Sequence, residues 1–495
     1  ACSLLLLRLF PLLLRLGTIL ATRNRNVAPM LALAQMARAP QQSVRVALLL
    51  LFTTAFVVFV SIFTSSQNAH LADVANYWTG ADFSGPMPAS ATTDQQAAYQ
   101  RLRGVTTATT GYVSSMVNSQ QDVELKLIAA DPAAFMRVVI WPEMGTAEQK
   151  SALNQVLSSK RAQLQATMPH ADTAPGATGP DDAVPAIVDE TTWDTLQLTP
   201  GKRFILRGPV GGITFLAMGK VAHIPTINDR SQTFGNGGAV TSGLLVDYQS
   251  YAAVYNYHLA RQERNPGGFA GRGQQPTPIR ANYVWMSTQS DAQTLAGVRK
   301  ALSSGPLQLA ALYDRRATMQ TLRTDPLSLN LVGMLILGAA VPLLLTWVGC
   351  LIASWATTRQ RQTLFGVLRA LGCPPRQLTR VLVWEQAIVY GSAVVLGVLF
   401  GLLTALMALP SLVLTSAVPG IYVPSSGGDF MPTFDLNNTL DLFSLQNTPP
   451  AHTVISPSLG VVIGLLVLLG VLAVALMSRG IARMTLSQVL RVNRD

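Results

Sequence analysis

The chain has 495 residues, of which 49% are hydrophobic and only 12% are charged, against about 25% charged in an average soluble domain. Three cysteines far apart in sequence, Cys2, Cys350 and Cys373, exclude a disulfide framework and a CxxC metal site. The formal net charge of +11 fits nucleic acid, an anionic membrane or a positive-inside topology, so the positions of the charges must decide.

Residues 1–45 predict an amphipathic segment on the cytoplasmic side of a membrane. Arg8 and Arg15 are seven residues apart among leucines, so they share one face of a helix. The same arginines interrupt the apolar run that a signal peptide needs. An interfacial helix is the favoured interpretation, and the remainder of an upstream membrane span is the alternative.

Four windows are long and apolar enough for transmembrane helices, since a span needs about 20 apolar residues. The one charged side chain within them is Glu385, a candidate intramembrane acid. Such a group in lipid costs at least about 2.5 kcal/mol and normally has a partner or a function. Pairing with Arg380 is the plainer alternative to a coupling role. The windows are 46–63, 329–355, 381–409 and 459–477.

Arginines concentrate in three short segments beside these windows. Residues 1–45, 356–380 and 478–495 together hold fifteen arginines and one acid, whereas 410–458 holds three aspartates and no Lys or Arg. By the positive-inside rule, the three basic segments and both chain ends are cytoplasmic, and 64–328 and 410–458 lie outside. The predicted location is a cell membrane. A nucleic-acid-binding protein would gather Lys and Arg on one folded surface, which argues against nucleic acid as a partner.

Residues 64–328 predict a large extracytoplasmic α+β domain, with a candidate β-rich lobe at 190–262. A region of this size can bury its own core. Helix-like runs cover 146–168 and 289–303. Short apolar runs predict strands at Glu124–Ala129, Met136–Trp141, Arg203–Arg207, Ile213–His223, Gly243–Asp247 and Ala281–Met286.

The predicted fold class is therefore a membrane α-helical bundle of four transmembrane helices, arranged one plus three, with the α+β domain inserted after the first helix. No span has enough polar residues to line a hydrophilic pore, which argues against an ion channel. Two GxxxG patterns, Gly397–Gly401 and Gly460–Gly464, allow helices to approach closely in lipid. Packing within the bundle is favoured for both, and a dimer seam is the alternative.

The basic segment 356–380 predicts a helical hairpin. Apolar residues at spacing i, i+3, i+4 and i+7 give a short helix one apolar stripe. Gly372 follows where a left-handed cap is favoured, and Pro374–Pro375 suit the first turn of a new helix. Such an element can dock into a groove on a cytoplasmic partner, and a plain connecting loop is the alternative. The candidate coupling residues are Leu364, Leu368, Arg369, Leu371, Gly372, Arg376 and Arg380.

Catalytic patterns do not occur in the sequence. It contains no GxxxxGK[ST] phosphate-binding loop, no HExxH and no GxSxG. The five histidines are scattered through the segments predicted to lie outside. We therefore expect no enzyme activity, no catalytic residue, no metal site and no cofactor in this chain. A membrane-anchored enzyme stays a weak third interpretation.

The stretch "RQTLFGVLRALGCPPRQLTRVLVWEQAIVYGSAVVLGVLFGLLTAL" resembles the core of FtsX-like permeases, the MacB/LolC superfamily of ABC transporters. The end of the chain, "MSRGIARMTLSQVLRVNRD", is similar to that family's terminus. The sequence departs from the family at Cys373–Pro374, where a small residue without a proline pair is usual. The matching positions are Leu368–Cys373, Arg376–Leu378, Glu385, Gly391, Gly397, Gly401 and Val489–Arg491.

This resemblance implies a permease component that transmits ATP-driven motion to an extracytoplasmic domain. The hairpin would meet a separate ABC ATPase subunit, which would bind the ATP and Mg. The partners implied are that ATPase, the lipid bilayer and a second permease unit, either in a homodimer or as the upstream half of one polypeptide. Residues 1–22 would then be the linker that follows a first half.

The implied activity is export or extraction of a lipid-, lipoprotein- or peptide-type substrate. The alternative is an ATPase-coupled extracytoplasmic sensor or activator of cell-envelope enzymes, with no transported substrate.

Overall fold

A computed structural model describes residues 40–88, 90–91, 93–118, 123–168, 182–227, 242–264, 277–360, 375–412, 452–455 and 457–482. The described chain divides into two compact units. The helical unit contains the described residues up to Ala69 and from Pro326 onward. The α/β unit is His70–Asp325.

The described elements, in chain order, are twelve helices and nine strands. The helices are α1 Pro40–Thr79, α2 Thr93–Arg101, α3 Pro132–Val138, α4 Ala147–Ser158, α5 Arg161–Thr167, α6 Glu190–Thr195, α7 Tyr248–Arg264, α8 Ala292–Ser303, α9 Arg315–Thr324, α10 Pro326–Gln360, α11 Pro375–Leu412 and α12 Pro457–Ala482. The strands are β1 Phe83–Pro86, β2 Val105–Asn118, β3 Val123–Ala130, β4 Val184–Asp189, β5 Arg203–Gly208, β6 Gly211–Val221, β7 Ser242–Asp247, β8 Tyr283–Thr288 and β9 Tyr313–Asp314.

Three of these helices are long and apolar enough to cross a membrane. The candidate spans are Arg45–Thr79 in α1, Leu329–Ile352 in α10 and Val383–Leu409 in α11. In α12 the apolar stretch is shorter, Leu459–Leu472. Three apolar helices with a large α/β region fit a membrane permease, and the fourth span stays a prediction.

Helix α1 is much longer than the predicted span of 46–63. It runs for 40 residues, about 60 Å at 1.5 Å per residue, twice the thickness of a hydrocarbon core. No glycine or proline interrupts the chain after Pro40 until Gly80. Gly80 adopts a φ of 69° and its N–H donates to Asn76 O at 2.8 Å, which is the left-handed cap that ends the helix. The helix therefore extends to Thr79, into the region assigned to the outer domain.

The nine strands form one mixed sheet in the order β3-β7-β4-β6-β5-β2-β8-β1-β9. Strand β3 also pairs with β2, so six of the strands close into a ring. The length of β2 allows this closure, because residues 105–111 pair with β8, whereas Val117 further along pairs with Arg207 of β5 and residues 111–118 pair with β3. The strands within 190–262 therefore share a sheet with strands from both sides of that range.

Both faces of the sheet are covered by apolar cores. Along β3, Leu125 and Leu127 belong to one core cluster and Ile128 to another, because successive side chains of a strand point to opposite faces. Helix α7 contributes Tyr251 to the first cluster, and α3 contributes Phe135 to the second.

Glycines in strands β1 and β2 have no room for a side chain. A Cβ on Gly111 in β2 would lie 2.6 Å from Ala129 O. A Cβ on Gly85 in β1 would overlap the carbonyl oxygen of Ala311. Any other residue at these two positions would have to displace a backbone carbonyl group.

The strand predicted at Met136–Trp141 is wrong. Residues up to Val138 form helix α3, because Asp131 accepts a hydrogen bond from Ala134 N at 3.3 Å and Pro132 occupies the first turn. The other five predicted runs overlap β3, β5, β6, β7 and β8. Strands β1, β2, β4 and β9 were not predicted.

Candidate functional site

The predicted coupling hairpin is only partly described. Leu364, Leu368, Arg369, Leu371 and Gly372 lie outside the described residues. Helix α11 begins at Pro375, where the absent proline N–H costs no helical hydrogen bond. The first two turns of this helix carry Arg376 and Arg380, and Arg380 is exposed.

Glycines of α11 lie against the backbone of α1. A Cβ on Gly397 would lie 2.7 Å from Thr54 Cβ and 2.9 Å from Leu51 O. A Cβ on Gly401 would lie 2.6 Å from Ala55 O and 2.9 Å from Val58 Cβ. This GxxxG pair therefore packs within the chain, against the first candidate span.

Apolar clusters continue this contact on both sides of the two glycines. One cluster contains Ala47 and Leu51 of α1 with Val389 and Ala393 of α11. The other contains Val58, Ile62, Ala405 and Leu409. Apolar side chains gain little by leaving lipid for a helix interface, so close backbone approach and packing hold such helices together.

The second GxxxG pattern has a different environment. A Cβ on Gly460 or on Gly464 of α12 would meet no atom within 4 Å in the described structure. The two patterns are thus alike in sequence but not in surroundings.

Polar side chains also join elements of the helical unit. The hydroxyl oxygens of Thr53 in α1 and Thr346 in α10 are 2.8 Å apart, and both residues are buried. Ser66 Oγ accepts a hydrogen bond from Val454 N at 2.9 Å. We did not predict these contacts, and the available signal was the presence of Thr53 and Thr346 within apolar windows.

The candidate intramembrane acid Glu385 is buried, with 2% of its surface exposed. It lies in α11, four residues before Val389 of the first apolar cluster. An ionisable group in an apolar helix is expected to face the protein interior, and Glu385 does so.

In the α/β unit, burial perturbs several titratable groups. It raises the pKa of the Asp189 carboxyl to about 6, against the opposing effect of hydrogen bonds from Thr192 and Gly243. Burial also lowers the pKa of the Lys126 ammonium, whose Nζ donates to Thr226 O at 3.1 Å. Asp189 lies at the end of β4 and caps α6, so its placement is explained by the fold.

Metal-binding clusters are not found among the described residues, where no three His, Cys, Asp or Glu side chains are grouped suitably. Two of the histidines of the α/β unit contact acids. His258 Nε2 lies 3.2 Å from Asp182 Oδ2, and His223 donates its backbone N–H to Glu143 Oε2 at 3.1 Å. Burial lowers the pKa of the His223 imidazole.

Comparison with known proteins gives one family match. Residues 336–486 match the model of the FtsX-like permease C-terminal domain. No curated protein matches the chain. The matched range contains α11, α12 and most of α10, together with the predicted hairpin. This match over residues 336–486 confirms the resemblance to FtsX-like permeases that the sequence motif indicated.

Proposed function

We propose that this chain transmits ATP-driven motion from a separate ABC ATPase to residues 64–328, for export or extraction of a lipid-, lipoprotein- or peptide-type substrate. The family match supports the general part of this proposal, a permease-type membrane component of an ABC transporter. In the proposed mechanism, ATP binding moves the 356–380 hairpin, and the second and third candidate spans carry that movement outward.

The family match is the observation that carries the proposal. It covers residues 336–486, so the basic hairpin lies inside the matched domain, between α10 and α11. ATP and Mg would be bound by the partner, because the chain has no GxxxxGK[ST] loop. A second permease unit completes the proposed assembly.

The packing of α1 on α11 supports transmission through the helices. Gly397 and Gly401 bring the two backbones into contact, and Phe52 meets Phe400 edge to face, with ring centroids 6.5 Å apart. Two helices in such contact move together, because close-packed interfaces deform little. A displacement at the start of α11 would therefore be shared by α1.

Co-purification from the native membrane tests the proposal. Leu368→Asp places a charge on the apolar stripe of the hairpin, and Arg376→Glu reverses a charge at its end. We expect an ATPase subunit to co-purify with the wild-type chain and to be lost with both variants. Arg483→Glu is the matched control, because it makes the same charge change in the other basic segment of the matched domain.

Three results would contradict the proposal. If no ATPase accompanies the wild-type chain, the hairpin is a topology anchor, and the interpretation as a membrane-anchored enzyme, which needs no ATPase partner, is favoured. If the purified chain hydrolyses ATP alone, the requirement for a partner is wrong. Equal loss of the ATPase with Arg483→Glu would mean that overall positive charge, rather than the hairpin, retains it.

A further inference from the structure

The chain enters the α/β unit along α1 and leaves it along α9, which is followed directly by α10. The two connections are in contact within the α/β unit. Leu71, Val74 and Ala75 of α1 form a buried cluster with Leu322 of α9. An apolar face of the outgoing helix therefore packs on the last turns of the incoming helix.

A buried carboxylate lies beside this contact. The Asp82 side chain is 8% exposed and follows α1 by three residues. Its Oδ1 accepts from Arg315 Nη2 at 3.0 Å and lies 3.3 Å from Arg316 Nη1. Its Oδ2 accepts from Thr288 N of β8 at 2.9 Å. One side chain thus joins the start of α9 to the central sheet.

Arg315 also contacts the incoming helix, α1. Arg315 Nη1 donates to Asn76 Oδ1 of α1 at 3.3 Å, and Arg315 N donates to Asp82 O at 3.1 Å. The neighbouring Asp314 caps α9 by accepting from Arg316 N at 2.9 Å. Asp314 also pairs with Arg299 of α8.

We propose that Asp82, Arg315 and Arg316 are positioning residues that lock the incoming and outgoing helices of the α/β unit into one body, so that movement of the membrane helices reaches the sheet through both connections together. The coupling role rests on the proposed function, whereas the lock itself does not. A lone carboxylate that binds α9 and β8 and lies beside α1 is suited to this task, because buried charge pairs with several hydrogen bonds have few alternative geometries.

The α/β unit offers a matched control. Asp247 is fully buried, and its carboxylate accepts from Arg161 Nη2 at 2.6 Å and from Ser250 N at 3.0 Å. Arg161 also reaches Asp131, 3.1 Å away. This second network joins α3, α5 and the start of α7. It includes no residue of α1 or α9, the two helices by which the chain enters and leaves the unit. Asp247→Asn therefore removes an equivalent buried charge without touching the lock.

The first comparison uses the full-length chain alone. Spin labels are attached at Ala72→Cys in α1 and Thr321→Cys in α9, after replacement of the native cysteines by alanine. We expect one narrow distance distribution in the parent and in Asp247→Asn, and loss of that single distance in Asp82→Asn. A narrow distribution in Asp82→Asn, or equal broadening in both variants, would overturn the lock.

The second comparison uses the complex purified with its ATPase. Amide exchange of β5 and β6 is measured without nucleotide and with ADP–vanadate. We expect Asp82→Asn to keep ATP hydrolysis and lose the nucleotide-dependent difference, which Asp247→Asn retains. Retention of that difference in Asp82→Asn would overturn the coupling role. If the wild-type chain brings down no ATPase, the proposed function fails, while the spin-label comparison still decides on the lock.

Discussion

Replacing Gly401 by alanine should weaken the packing of α11 on α1. The new Cβ would lie 2.9 Å from Val58 Cβ, roughly 0.6–1.1 Å inside the optimal carbon–carbon separation of about 3.5–4.0 Å. It would also lie 2.6 Å from Ala55 O, a helical backbone atom that cannot rotate away as a side chain can. Overpacking of this kind costs about 1–3 kcal/mol, and alanine returns about 1 kcal/mol of helix propensity.

The matched control is Gly464→Ala in α12, where a Cβ meets no described atom within 4 Å. Both substitutions gain the same helix propensity, so the difference between them isolates the packing energy. We expect Gly401→Ala to be less stable than Gly464→Ala by about 1–3 kcal/mol. The assay is unfolding of the full chain by SDS from mild-detergent micelles, followed by circular dichroism. Equal stability of the two variants would refute the close approach of α1 and α11.

Three further predictions concern buried polar groups. Thr53→Val and Thr346→Val should show a coupling energy of about 0.6–1.7 kcal/mol in a double-mutant cycle, as interhelical hydrogen bonds in membranes do. Additive effects of the two substitutions would mean that the 2.8 Å contact between the hydroxyls contributes nothing to stability. The pKa of Asp189 near 6 lies above its unfolded value of about 4, so this carboxyl should lower the free energy of unfolding by on the order of 2–3 kcal/mol as the pH rises from 4 to 7. In Asp189→Asn, stability measured by denaturant titration should lose that decline, and an unchanged pH profile would contradict the assignment. Tyr251 is fully buried and its hydroxyl has no hydrogen-bond partner in the described structure, so Tyr251→Phe should raise the unfolding free energy by about 1–3 kcal/mol; thermal melting checks this, and a lower midpoint would mean that the hydroxyl is satisfied.

Hydropathy located the three candidate spans because each holds more than a bilayer's length of apolar residues. The strands were harder to predict. Strand β2 reads "VTTATTGYVSSMVN" and was missed, since its Thr and Ser residues interrupt any apolar run. Strand β4 was missed because its second residue is Pro185 and it follows a proline- and glycine-rich stretch. The end of helix α3, Met136–Val138, was predicted as part of a strand, although Asp131 and Pro132 are an N-cap and first-turn pair that favours a helix.

The candidate site, like the fold, could be predicted only in part. The family motif identified the C-terminal domain, because it depends on local sequence alone. The surroundings of the glycines did not follow from sequence, since Gly397–Gly401 and Gly460–Gly464 have the same spacing and differ only in what approaches them. The cluster around Asp82 could not be predicted from the sequence either, because its arginines are more than 230 residues away in the chain.

The family match over 336–486 does not include the α/β unit. Its glycines that have no room for a side chain provide a criterion by which homologues of this unit can be found. Core apolar positions can exchange one aliphatic residue for another, and such drift erases sequence similarity. Gly85 and Gly111 cannot drift, because Ala311 O and Ala129 O fill the space that any Cβ would need. A divergent homologue of this unit should therefore keep both glycines at the same points of its first two strands, even where little else of the sequence can be aligned.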